Sequence, residues 1–265
     1  MAARRWRAAA VVLLASALAA GCGGGNGAGK PTAPSSAPPS TGPATPTDRS
    51  PHGVLLAAQL AAHDARRVEF RSSLGGERAR GMLFWAPKTV LQLKPEGGTR
   101  QLIVLDTSAY LGGDQETATR LGGRHWEKYA GDREVPYAGL IDRLNPLVAA
   151  TAAAAADDPE LVGEEKLQDS TVEHYRVTVG ADRYAAAQTQ LGPARRQALE
   201  QALGSAPVVL DLWLNDKDQP VQIRRSSGGG VDLIGYTEYA GPLSVQAPAE
   251  ADTADEGDRS LPPAP

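Results

Sequence analysis

Two periods of hydrophobicity alternate along residues 51–247. The segment "HGVLLAAQLAAHDARR" repeats Val54, Leu55, Ala58, Ala61 and Ala62 at helical spacing, which predicts an amphipathic opening helix. The period then drops to two. "VEFRSSL" sets Val68, Phe70, Ser72 and Leu74 on one face, Gly75-Gly76 supplies a turn, and "RGMLFWAP" returns with Met82 and Phe84 opposed to Leu83 and Trp85. That pattern predicts a hairpin. "TVLQLK" follows with Leu91 and Leu93 on one face, and "RQLIVLDTSAYL" carries Ile103-Val104-Leu105, a run suited to a central strand covered on both sides. "GRHWEKYA" reads as a short strand or turn.

The helical period returns in "AGLIDRLNPLVAATAAAAADD", with Leu140, Ile141, Leu144, Leu147 and Val148 on one face. Asn145-Pro146 suits an N-cap followed by a first helical residue, so two short helices are expected there. "STVEHYRVTVG" alternates Tyr175, Val177 and Val179 with His174, Arg176 and Thr178, as a half-exposed strand does. "ADRYAAAQTQL" and "PARRQALEQAL" are helical around Gly192-Pro193. "PVVLDLWLNDKDQPVQIRR" is a hairpin turning at Asn215 to Asp218, and "VDLIGYTEYAGPLSVQAP" supplies a last strand. This order predicts an α+β fold: a curled antiparallel half-barrel of about seven or eight strands with helices packed on its concave face.

The ends are composed differently. Residues 1–21 run from Arg4, Arg5 and Arg7 through an uncharged Ala8–Ala20 to Gly21, the layout of an export signal. Its apolar run is roughly 13 residues, or about 20 Å of helix, short of the roughly 20 residues that cross a bilayer. The single cysteine, Cys22, follows at once. "LAAGC" resembles the bacterial lipobox, with Ala19 where that motif favours Leu and Leu18 one place early. The resemblance implies lipidation of Cys22 with acyl chains of the palmitate kind; the alternative is an exported protein cut near Ala20 with a free thiol. Two chains anchor stably where one does not. Residues 22–50, rich in Gly, Pro, Ser and Thr, are expected to be a disordered tether of about 30 Å root-mean-square span. Residues 248–265 are expected to be a disordered acidic tail, which leaves 51–247 as the folded domain.

Charge and reactive residues narrow the function. Lys and Arg number 27 against 31 Asp and Glu; without the three signal arginines the balance is 24 against 31, or −7. With no basic stripe, nucleic acid is not an expected partner. His52, His63, His125 and His174 lack metal-ligand spacing, no G-x-S-x-G elbow occurs, and the Leu-Gly-Gly triplets read as turns. No enzyme activity, metal or cofactor is expected. Trp85, Trp126 and Trp213 lie in alternating apolar segments and are expected to be packed rather than to form a sugar platform.

"PVVLDLWLNDKDQPVQIRR" with "YTEYAGPLSVQAPAE", the "LNPLVAA" helical insertion, Trp126 and the lipobox together resemble the LppX/LprG-type lipoproteins of actinobacteria, whose fold is LolA/LolB-like. The resemblance implies an apolar cavity between sheet and helices that in some relatives holds acyl chains. It also implies carriage or presentation of lipid or glycolipid at the outer face of the cytoplasmic membrane, without catalysis. Alanine-rich helices on a curled sheet can leave space unfilled. The expected cavity residues are Val68, Phe70, Met82, Phe84, Leu91, Leu93, Leu140, Leu144, Leu147 and Val148, and the alternative is that they form a close-packed core. The expectation is a monomer, lipid-anchored and extracytoplasmic, that binds an apolar or acylated ligand. The competing reading is a ligand-free scaffold for an envelope protein partner.

Overall fold

The computed structural model describes residues 48–130, 135–242, 244–257 and 260–265. The segments read from sequence as export signal and tether, with Cys22, lie outside the described residues up to residue 47. In chain order the elements are α1 (Pro51–Ala65), β1 (Arg67–Leu74), β2 (Glu77–Phe84), β3 (Val90–Pro95), β4 (Gln101–Leu105), β5 (Ser108–Gly112), α2 (Gln115–Arg120), β6 (Trp126–Ala130), α3 (Ala138–Leu144) and α4 (Pro146–Ala154). There follow β7 (Glu160–Leu167), β8 (Ser170–Val179), α5 (Ala181–Ala186), α6 (Pro193–Leu203), β9 (Val208–Leu214), β10 (Pro220–Ser227), β11 (Gly230–Thr237), a 3-10 turn at Glu250–Asp252 and β12 (Thr253–Gly257).

The described strands form one sheet of twelve, ordered β12-β6-β5-β4-β3-β2-β1-β11-β10-β9-β8-β7. Every pair is antiparallel except β12 on β6, so the sheet is mixed. A sheet this wide must curl, and it does; the helices share an apolar core with one of its faces, the inner face. Twelve strands exceed the expected seven or eight by four or five, and three of the additional ones have identifiable origins. "RQLIVLDTSAYL" is two strands, turned at Asp106, whose φ of 56° reverses the chain. β7 has only Leu161, Val162 and Leu167 as large apolar residues and is an edge strand, exposed along most of its length. β12 falls in the segment expected to be a disordered tail and pairs Thr253 with Trp126. The short helix α2, capped by Asp114 Oδ1 accepting from the Thr117 N–H at 2.7 Å, was also not foreseen.

The inner sheet face and the helices share one apolar core. Val54, Leu55 and Ala58 of α1, Val68 and Phe70 of β1, Leu91 and Leu93 of β3, Leu144 and Val148 of the α3–α4 pair, and Val208, Leu210, Leu212 and Leu214 of β9 all belong to it. The β1–β2 hairpin has its two-residue turn at Gly75-Gly76, both at positive φ as a primed turn requires. Register then decides which face of β2 looks inward. Val68 pairs with Leu83 and Phe70 with Gly81, so Leu83, Gly81 and Ala79 face the core. Met82 and Phe84, expected to face inward, alternate with these and lie half-buried on the outer side. The strand carries apolar residues on both faces from Met82 to Trp85, and only the pairing with β1 breaks that tie.

Buried charge holds the helices to the sheet. Arg225 of β10 and Asp232 of β11 are both buried and hydrogen-bonded to each other, and Arg143 of α3 reaches Asp232 with two bonds at 2.5 and 3.2 Å. Tyr184 of α5 lies 3.4 Å from Arg225, and Tyr236 of β11 donates to the Leu144 carbonyl at 3.0 Å. These contacts satisfy groups whose burial would otherwise be costly.

Candidate functional site

A cavity of about 330 Å³ opens where four chain segments meet. The end of α1 contributes His63 and Arg66; the β2–β3 connection contributes Trp85, Ala86 and Thr89. The α3–α4 junction contributes Ile141, Asp142, Asn145, Leu147 and Val148, and the α5–α6 connection and the first turn of α6 contribute Gln190, Leu191 and Arg195. This volume is at the lower end of the range for small-molecule sites.

Local chemistry shapes each wall. Arg66 ends α1 in the left-handed region at φ 61°, turning the chain into β1, and its carbonyl accepts from the Trp85 backbone N–H at 3.0 Å. The end of β2 is thereby pinned to the α1–β1 corner. Asn145 closes α3 and opens α4: its N–H donates to the Ile141 carbonyl, and its Oδ1 accepts from the Leu147 N–H, both at 3.0 Å. Pro146 takes the first helical position, as the sequence predicts. Gln188, wholly buried, donates to the Val148 carbonyl at 2.9 Å and fixes the α5–α6 connection against α4.

The walls combine an apolar floor with a polar rim. Ile141, Leu147, Val148, Leu191 and Trp85 supply the apolar surface. Arg195 donates to buried Asp142 at 2.5 and 3.4 Å while keeping about a third of its side chain in solvent. Burial pushes the Asp142 carboxyl upward, against the pull of the Arg195 charge. The Trp85 indole N–H is buried without a hydrogen-bond partner among the described residues, at a cost on the order of 1–3 kcal/mol.

Of the ten residues expected to line a cavity, Leu147 and Val148 border this one. Val68, Phe70, Leu91, Leu93 and Leu144 lie in the packed core, and Leu140 packs partly buried against it. Met82 and Phe84 are on the other side of the sheet. Sequence patterning missed Arg66, Leu191 and Arg195 as wall residues, and it read Trp85 as packing alone. The available signal was weak: Leu191 next to the Gly192-Pro193 break and Trp85 next to Ala86-Pro87 mark connections where walls can part.

A second, larger groove lies on the outer sheet face, lined mostly by polar residues including Glu69, Arg71, Gln168, Asn215 and Gln222. Another outer-face cluster joins β7, β8 and β9. His174 stacks on Trp213 with ring centroids 4.4 Å apart, its Nδ1 2.7 Å from Glu165 and its Nε2 2.9 Å from Asp211. The carboxylates sit on opposite ring nitrogens and converge on no common point. Among the described residues no helix is long and apolar enough to cross a membrane.

No protein-family model matches the chain. A Streptomyces coelicolor protein carried under a lipoprotein name is 26% identical over 152 residues, covering 53% of this chain and 45% of that one. An uncharacterized 31.2 kDa protein of Streptomyces griseus is 25% identical over 153 residues, covering 52% and 50%. The chain thus matches about half the length of these curated relatives. Among solved structures, LprF from Mycobacterium bovis aligns with TM-score 0.50 at 13% identity, covering 75% of this chain and 97% of that one. Lipoprotein LppX from Mycobacterium tuberculosis aligns with TM-score 0.45 at 11% identity, covering 76% and 100%. In fold, the chain is similar to the actinobacterial LppX/LprG-type lipoproteins, as its C-terminal strands and helical insertion imply.

Proposed function

We propose that this chain is a lipid-anchored, extracytoplasmic lipoprotein that binds an apolar or acylated ligand and carries or presents it without chemical change. The observation that carries the reading is the cavity at the α3–α4 junction, with its floor of Ile141, Leu147, Val148 and Leu191 beneath a polar rim. An apolar floor under convergent polar groups is the usual form of a small-molecule site. The lipobox-like "LAAGC" and the lipoprotein name of the Streptomyces coelicolor relative support an anchor at Cys22. The proposed place is the outer face of the cytoplasmic membrane. Native mass spectrometry of detergent-free protein, before and after organic extraction, tests the reading. A lipid-mass adduct lost on extraction is expected, and an unliganded mass that stays unliganded after incubation with fatty acid would overturn it.

A second reading, a scaffold for an envelope protein, draws on one specific feature. Leu56 and Leu60 stand one turn apart on α1, 47% and 50% exposed. Charged substitutions at both that abolish capture of an envelope partner while leaving ligand uptake intact would favour it.

A further inference from the structure

Resting on the carrier reading, we infer that the ligand is an anionic single-chain amphiphile whose carboxylate or phosphate head lies between Arg66 and Arg195 while its chain enters the apolar floor. Three features of the cavity carry this. First, its walls hold two guanidinium groups and one carboxylate, Asp142, which is buried and already bound by Arg195. Arg66 is exposed and makes no ion pair among the described residues. The rim therefore has cationic capacity to spare, in a chain whose formal charge is −4.

Second, the nine-residue α4 and the eleven-residue α6 both begin at this cavity, and neither has an acidic residue in its first turn. Their positive dipole ends meet the negative ends of α1 and α3, which close at the same cavity, so the net positive charge of the rim rests on the guanidinium groups. Third, the Arg195–Asp142 pair fixes the guanidinium before any ligand arrives. Such pre-organisation lowers the ordering cost of binding, and a planar guanidinium suits either oxyanion head. The apolar side is equally placed, with Ile141, Leu147, Val148 and Leu191 on the same walls. A neutral chain would use the floor and leave the rim idle. A free inorganic anion would use the rim and leave the floor wet.

Equilibrium dialysis of the full chain at pH 7 against dodecanoate, dodecyl phosphate and dodecan-1-ol tests the inference. At least one of the two anions should bind at least tenfold tighter than the alcohol, and which one does so distinguishes a carboxylate from a phosphate head. Arg66→Gln should reduce that margin severalfold. The double variant Asp142→Asn/Arg195→Gln should do the same, and it avoids leaving Asp142 buried without its partner. Equal binding of all three probes would overturn the anionic head and leave the carrier reading standing, and an anion margin unchanged in both variants would overturn the seat between Arg66 and Arg195. Binding of none of the three by folded protein would overturn both.

Discussion

Gly81 shows how one residue ties strand pairing to packing. A Cβ built there would stand 1.8 Å from the Gln92 carbonyl oxygen and 3.0 Å from Cζ of Phe70. The first of these is backbone in a paired strand, which no rotamer change relieves. Gly81→Ala should therefore cost about 1–3 kcal/mol or somewhat more, as overpacking does, read as a lower urea midpoint at unchanged slope. Asp232 sets an opposite kind of constraint. Burial pushes its carboxyl up, but the Arg143 hydrogen bonds and the Arg225 charge hold it below the ordinary range. The folded chain thus binds this proton less tightly than the unfolded chain. The resulting stability is complete above the ordinary carboxylate value of about 4 and is lost as pH falls through the lower folded value. Asp142, raised by burial, contributes with the opposite sign over its own range. Asp232→Asn should destabilise by roughly 3–5 kcal/mol, because Arg225 is left buried and uncompensated. Thermal melts from pH 7 to pH 3 should show a shallower acid limb in the variant.

At the scale of elements, the α3–α4 junction and the β7 edge differ in how they are held. Asn145 serves two helix ends at once, so Asn145→Ala should cost about 1 kcal/mol. The same change should weaken ligand uptake, because Leu147 and Val148 on the cavity wall lose their fixed start. β7 has few apolar contacts and depends on side chains from its neighbours: Glu165 faces His174 Nδ1 at 2.7 Å and accepts from Trp213 Nε1 at 2.8 Å. Glu165→Ala should speed amide exchange in β7 selectively while the β9 amides keep their protection, since exchange reports local as well as global opening. A uniform change across both strands would count against that local role.

For the whole molecule, the anchoring proposal makes a direct prediction. Cys22→Ser should move the chain from the membrane fraction to the soluble fraction, because no described helix can cross a membrane in its place. Much of the fold was legible without coordinates. The helical and strand periods, the Gly75-Gly76 turn and the Asn145-Pro146 helix break all depend on residues within a few positions of each other, and local sterics and capping suffice to determine them. The same periodicity put Val68, Phe70, Leu91, Leu93 and Leu144 on apolar faces, but it left open whether those faces line a cavity or pack closely, as they do in the fold. What the tertiary structure alone decided rests on distant pairings. β12 is a strand because Thr253 meets Trp126, and β7 because the β8 edge is open to it. Met82 and Phe84 turn outward because Leu83 lines up with Val68. The cavity joins segments from His63 to Arg195, and its existence depends on where packed elements fail to meet. Periodicity assigns each residue to a face of its own element, but the space between elements is set by how all of them pack together.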